Sequence, residues 1–289
     1  MNERQLAGTD AAWQEALARG LPPGSRRHLA VLFAGSPARE ALGALYAYEA
    51  ELQRIVAAES HEAAHARLQW WRGELDRLSA SRPSHPITRA LLGASTHWRA
   101  EVGLLHEALV AADLDLVRFT YRTWNELEAY CFRASGALQT LVAATLAGVR
   151  PLSAQEREFA RRLGSALRQA EMLQRLPLDA GRGHLYAPLD VLHDLGIDPA
   201  SLGRGEPAPL VQRFLADWQA RVRGELLALP ALLETAVERG AQRHGLVLAA
   251  LYARWLGKSA TAKPRAQRRL DLDSLDRLWT AWRTAVRHG

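Results

Sequence analysis

Residues 164–192 read GSALRQAEMLQRLPLDAGRGHLYAPLDVL. The first half continues a helix that opens at Ser153, where Glu156 three positions on completes a capping-box pattern. Pro177 is expected to end that helix, because proline lacks the N–H and clashes with the preceding turn. Beyond it, GRGHLYAP and GIDPASLGRGEPAP are dense in Gly and Pro, so 177–206 is predicted to be irregular, with one short helical turn near Leu189 to Leu195.

Outward from this stretch, apolar residues recur at helical spacing in almost every segment, and no run alternates as a strand would. The pattern predicts helices over 10–19, 26–34, 37–58, 61–80, 87–97, 99–112, 115–147, 207–236, 238–256 and 271–287. Gly20 with Pro22 and Pro23 ends the first, Pro37 starts the third, and SRPSHP (Ser81 to Pro86) separates two others. KSATAKPRAQRR, Lys258 to Arg269, is expected to be a basic loop. No repeat occurs at solenoid spacing. The chain is predicted to be all-α, with an N-terminal helix or extension over 1–24 and one helical domain over 25–289.

The chain has 289 residues, 48% of them hydrophobic, enough for a substantial core. Cys131 is the single cysteine, which excludes an intramolecular disulfide and a cysteine-rich metal site; it reads as a small buried apolar side chain. The N-terminal stretch carries acids and no apolar h-region, so a cytoplasmic location is expected. The longest apolar run, Gly245 to Trp255, is about half the ~20 residues of a spanning helix. A net charge of +6 would suit an anionic partner, but arginine is spread over most helices, so a solvated surface is favoured and no nucleic-acid partner is expected.

Site chemistry is sparse. HEAAH, His61 to His65, meets the letter of the zincin pattern with Glu62 as base, but it sits on a polar turn with no third ligand in view, so a zinc site is not expected. His85 and His97 read as capping or surface residues. Asp113 and Asp115 are two apart, and such residues do not face one another on a helix. There is no P-loop, GxGxxG or nucleophile elbow.

Five segments occur in an order that resembles the squalene/phytoene synthase family: REALGALYAYEAEL (39–52), RLQWWRGEL (67–75), HPITRALL (85–92), NELEAYCFRASGAL (125–138) and the 164–192 stretch. The resemblance implies the isoprenoid-synthase fold, an all-α bundle around a central cavity. It also implies two Asp-rich helices that hold magnesium and a prenyl diphosphate. Mg²⁺ takes carboxylate and phosphate oxygens in octahedral geometry. The first motif, DxxxD, falls on Gln53 to Ala57, with Arg54 second; neither end is a carboxylate. The second, NxxRDxxxD, falls on Glu171 to Asp179, with Gln174 and Arg175 where Arg and Asp are usual. No metal or other cofactor is therefore expected and no catalytic residue is assigned; Mg²⁺ would return only with an active enzyme. Arg39, Tyr46, Tyr130, Gly136, Arg182 and Tyr186 match family positions, while Gln139 stands where a second Gly is usual; maintenance of helix packing and of the long loop is the preferred reading of the six, and a ligand pocket is the alternative.

AELQRI, RLQWWRGEL and MLQRLP are similar to the branch that lacks the aspartates, which includes the phytoene-synthase-type assembly factors of respiratory complex I. That resemblance implies a pseudoenzyme with a membrane-complex protein partner at the inner membrane, with a lipid or prenyl ligand as a further candidate. The alternative is a prenyl transferase using farnesyl or geranylgeranyl diphosphate at an altered site, with Arg54, Arg175 and Arg182 on the diphosphate. Leu246, Leu248, Leu251, Tyr252 and Trp255 beside Lys258, Lys263, Arg265, Arg268 and Arg269 also suggest peripheral membrane contact. A core helix followed by a solvated loop is the preferred reading of that patch.

Overall fold

The structure, a computed structural model, describes residues 3–94, 101–117, 120–204, 208–260 and 274–288. Helix α1 (Glu3–Gly20) packs along α3 (Ser36–Val56) and buries Ala16 there. Between them lies the six-residue α2 (Arg26–Val31), capped by Ser25, whose side chain accepts from the His28 N–H. Helices α4 (His61–Ser79), α5 (Pro86–Ala94) and α6 (Gly103–Val117) complete the N-terminal half. His61, Glu62 and His65 are exposed at the start of α4, and no metal-ligand cluster occurs among the described residues.

The single helix expected over 115–147 is instead several elements. After α6 come strand β1 (Thr120–Tyr121), α7 (Trp124–Cys131), a π-helical turn (Phe132–Gly136) and α8 (Ala137–Ala147). Thr123 caps α7 by accepting from the Glu126 N–H. That cap competes with a continuous helix and wins.

Pro177 does not end α9, which runs from Ala154 to Gly181 with the capping box at Ser153 and Glu156 in place. A proline inside a helix costs roughly 3 kcal/mol, but tertiary packing offsets it. Met172 and Leu176, in the turn leading up to Pro177, are 1% exposed, and α11 (Pro199–Arg204) seats Gly203 against the backbone of Gly181. Because the helix continues, Glu171, Arg175 and Asp179 share one face at i, i+4 and i+8.

The stretch expected to be irregular carries strand β2 (Leu185–Pro188), α10 (Leu189–Asp194) and α11. The two strands are too short for an alternating pattern to register, yet they pair in parallel, Thr120 with Leu185 and Tyr121 with Pro188. Helices α12 (Pro209–Ala228), α13 (Ala236–Ala241), α14 (Arg243–Ala260) and α15 (Ser274–Arg287) follow, with a 3₁₀ turn (Leu229–Leu232) after α12. Two apolar clusters form the core, one mainly from α1, α3–α6 and α8, the other mainly from α7, α9 and α12–α15. Leu246, Leu248, Leu251, Tyr252 and Trp255 lie in the second, each at 4% exposure or less. They are core, with Arg26 over the Trp255 ring at 4.5 Å. Lys263, Arg265, Arg268 and Arg269 lie outside the described residues, as does His97.

Candidate functional site

Helices α3 and α9 line opposite sides of a cleft of about 630 Å³. Gln53 and Ala57 come from α3, and Glu171, Gln174, Arg175 and Asp179 from α9. Arg182 and His184 arrive on the chain leading into β2, and Tyr186 on β2 itself. Both motif regions singled out in the sequence therefore meet, together with two of the six candidate pocket residues.

The other four candidates do not line this cleft. Arg39 donates to the carbonyls of Ala34 and Leu32, closing the α2–α3 turn. Gly136 lies where the π turn meets α9, and Tyr130 lies beneath the cleft. Tyr46 is fully buried, its hydroxyl 3.2 Å from both Gln139 Nε2 and His244 Nε2. The side chain that replaces the usual second glycine thus fills space inside the bundle. Burial and the nearby Arg27 push the His244 imidazole down to about 3, so it is neutral at physiological pH. Arg54 also turns away from the cleft and pairs with Glu51.

The floor of the cleft joins Glu171, from the second motif, to Arg27 and Glu49, which the sequence alone did not single out as a site. Arg27, from α2, binds Glu49 end-on, at 2.7 Å (Nη1 to Oε2) and 3.0 Å (Nη2 to Oε1), and reaches Glu171 Oε1 at 3.0 Å. The Tyr252 hydroxyl donates to the same Glu171 oxygen at 3.1 Å. Burial opposes the Arg27 charge, but Glu49 and Glu171 more than offset it, and the guanidinium is held well above its ordinary range. Burial likewise pushes Glu49 up, against the pull of Arg27.

A second group sits beside the first. Tyr130 and Tyr186 donate to the two oxygens of Asp115 at 2.8 and 2.9 Å, and Arg168 stands 3.7 Å from Asp115 and 2.5 Å from the Tyr130 hydroxyl. The β1–β2 pair positions this group, since it stacks Tyr121 against Tyr186 and holds Tyr186 over the end of α6. Asp113, two residues before, points elsewhere and pairs with Arg72. Beneath, a pit bounded by Leu52, Val56, Ala108 and Ala112 measures only about 30 Å³, room for one or two waters.

The residues present do not fit a magnesium cluster. Divalent ions need several free carboxylate oxygens, and here Gln53 and Ala57 offer none. Glu49 and Glu171 are bound by Arg27, Asp115 by two tyrosines beside Arg168, and Asp179 lies 3.4 Å from Arg175. Glu59 is an exposed carboxylate at the rim.

A helical bundle with a cleft between two long facing helices defines a protein of the isoprenoid-synthase class. The structure overlays on squalene synthase HpnC from Alicyclobacillus acidocaldarius with a TM-score of 0.69 at 19% identity, covering 90% of this chain and 97% of that one. On a dehydrosqualene synthase in complex with ligand, the TM-score is 0.74 at 12% identity, covering 97% and 98%. The chain belongs to the squalene/phytoene synthase family, whose profile matches residues 23–276. It is 30% identical over 196 residues to the bifunctional protein CrtB/UppS of Streptomyces coelicolor, covering 66% of this chain and 34% of that protein. It is 25% identical over 203 residues to the chloroplastic phytoene synthase of Narcissus pseudonarcissus, covering 68% and 47%. The chain thus aligns with a third to a half of the length of these curated relatives.

Proposed function

We propose that this chain is a non-catalytic member of the family: it keeps the fold but does not ionise prenyl diphosphates. One observation carries the reading. The guanidinium of Arg27 lies between Glu49 on α3 and Glu171 on α9, the inward carboxylates one helical turn before Gln53 and Arg175. A fixed organic cation there uses up the negative charge that divalent ions would need, and the narrow pit leaves little room for a prenyl chain. The role that remains is that of an assembly or scaffold factor for a membrane complex. The likeness of AELQRI and MLQRLP to the complex I assembly branch makes respiratory complex I the leading candidate, at the inner membrane.

The test is incubation of the purified chain with farnesyl or geranylgeranyl diphosphate and Mg²⁺. Pyrophosphate release is expected to equal that of a boiled control, and turnover above it overturns the proposal.

A second reading draws on Arg175, Arg182 and His184 at the cleft mouth, with Arg168 deeper. Arginine binds phosphate bidentately without a metal. On this reading the chain is a prenyl-diphosphate-using transferase with an altered site, or holds a prenyl diphosphate without chemistry. Calorimetry with farnesyl diphosphate in EDTA separates it from a bare scaffold, since only this reading expects metal-independent heat that Arg182→Ala removes.

A further inference from the structure

Single exposed apolar side chains occur over much of the surface and call for no explanation, but five of those described lie on one helix. Helix α15 buries Ala281 and Ala285, at 1% and 5% exposure, in its packing on α14 and α2. Leu275, Leu278, Trp279, Trp282 and Val286 are between 51% and 80% exposed. At about 100° per residue, these five form one stripe centred roughly 100° round the helix from the alanine row. The helix therefore turns its small residues inward and its bulky ones to the outside, the reverse of an ordinary surface helix. The Trp279 and Trp282 rings lie 5.2 Å apart and make a two-ring plate.

The chemistry around the stripe identifies its occupant. Arg283 and Arg287 are exposed and border it on the side of Trp279. Asp276, the one carboxylate of α15, is neutralised by Arg254 at 3.2 Å and Lys258 at 2.6 Å. An apolar, tryptophan-bearing face edged by arginines matches a lipid headgroup boundary: the rings sit at the acyl interface and guanidinium groups reach phosphate. A second copy fits less well, because pairing the faces brings together arginine borders on chains that each carry +6. No described helix is long and apolar enough to cross a membrane. The family profile ends at 276, so nearly all of α15 lies beyond it.

We infer that α15 is an interfacial anchor that lays Leu275, Leu278, Trp279, Trp282 and Val286 into an anionic lipid surface while Arg283 and Arg287 engage headgroup phosphates. The inference is independent of what the cleft does. It places membrane contact on α15 and not at Trp255, which is 4% exposed.

The test is flotation of the full chain with vesicles of phosphatidylcholine alone and of phosphatidylcholine with one third phosphatidylglycerol. Wild type is expected to float about tenfold better with the anionic vesicles, and less so in high salt. Trp279→Ser with Trp282→Ser is expected to lower flotation about tenfold at an unchanged thermal midpoint, since both rings are exposed. Arg283→Glu with Arg287→Glu is expected to abolish the preference for anionic lipid. If the tryptophan variant does not fold, the arginine variant alone decides. Failure of wild type to float, or equal flotation by the variants, overturns the anchor. So does light scattering that shows a dimer dissolved by the tryptophan variant in a chain that binds no vesicle.

Discussion

Glu49 and Glu171 stand on different helices 122 positions apart, and one guanidinium, that of Arg27, binds both. Arg27→Met would leave two carboxylates facing each other below the cleft. Removing one partner of a buried ionic group costs about 3–5 kcal/mol, so the thermal midpoint should fall by roughly 10 °C. Without Arg27, burial pushes Glu49 further up. A carboxyl whose folded pKa exceeds its unfolded value weakens the fold above that pKa and regains stability on protonation. The deficit of the variant should therefore shrink as pH is lowered, which urea melts across pH would show. A deficit independent of pH would refute the ionic account.

Glu74 predicts the opposite acid behaviour. It is fully buried, which pushes its carboxyl up, but the His85 N–H, Ser84, Thr88 and Arg77 all hydrogen-bond to it and hold it at about 2. A carboxyl depressed in the folded state adds stability that is complete above its ordinary value near 4.5 and is lost as pH falls toward 2. Glu74→Gln should cost about 1–3 kcal/mol at neutral pH. Denaturation midpoints of variant and wild type should converge in acid, and parallel curves would discount this role.

Gly164 marks where α9 crosses the π turn. A Cβ there would stand 2.5 Å from the Ser135 carbonyl oxygen and 2.6 Å from the Gly136 Cα, both main-chain atoms that can yield only by moving a helix. Gly164→Ala should therefore destabilise by about 1–3 kcal/mol. Gly224, inside α12 with nothing near its missing Cβ, supplies the control. Gly224→Ala should be stabilising by about 0.5–1 kcal/mol. Calorimetric midpoints moving in the same direction would contradict this.

Cys131 is sealed in the core, and burial pushes its thiol up to about 12. Ellman's reagent at mild alkaline pH should label it only at the rate of unfolding. Fast labelling of the folded chain would mean the core opens at α7.

Most helices could be read from the residues, because caps and breakers act locally. Ser153 with Glu156, the Gly20 stop and the SRPSHP break need only their neighbours to take effect. The errors at 115–147 and Pro177 arose where distant packing decided the outcome, through the β1–β2 pair and through α11 on α9. The site shows the same division. Gln53, Gln174, Arg175, Asp179, Arg182 and Tyr186, all named from the sequence, line one cleft. Arg27 carried no signal, since its partners lie 22 and 144 residues away. The spacing of Glu49 to Gln53 and of Glu171 to Arg175, four residues each, did place carboxylates one turn along both motif faces.

Short as it is, α2 belongs to both halves of the core: Leu29 and Ala30 join one apolar cluster and Val31 the other. Its Arg27 cross-links α3 and α9 at the same level, like a bolt through two plates. Neither half can loosen without drawing a charge out of its seat, so amide exchange in α3 and α9 should slow and quicken in concert, as a single cooperative unit.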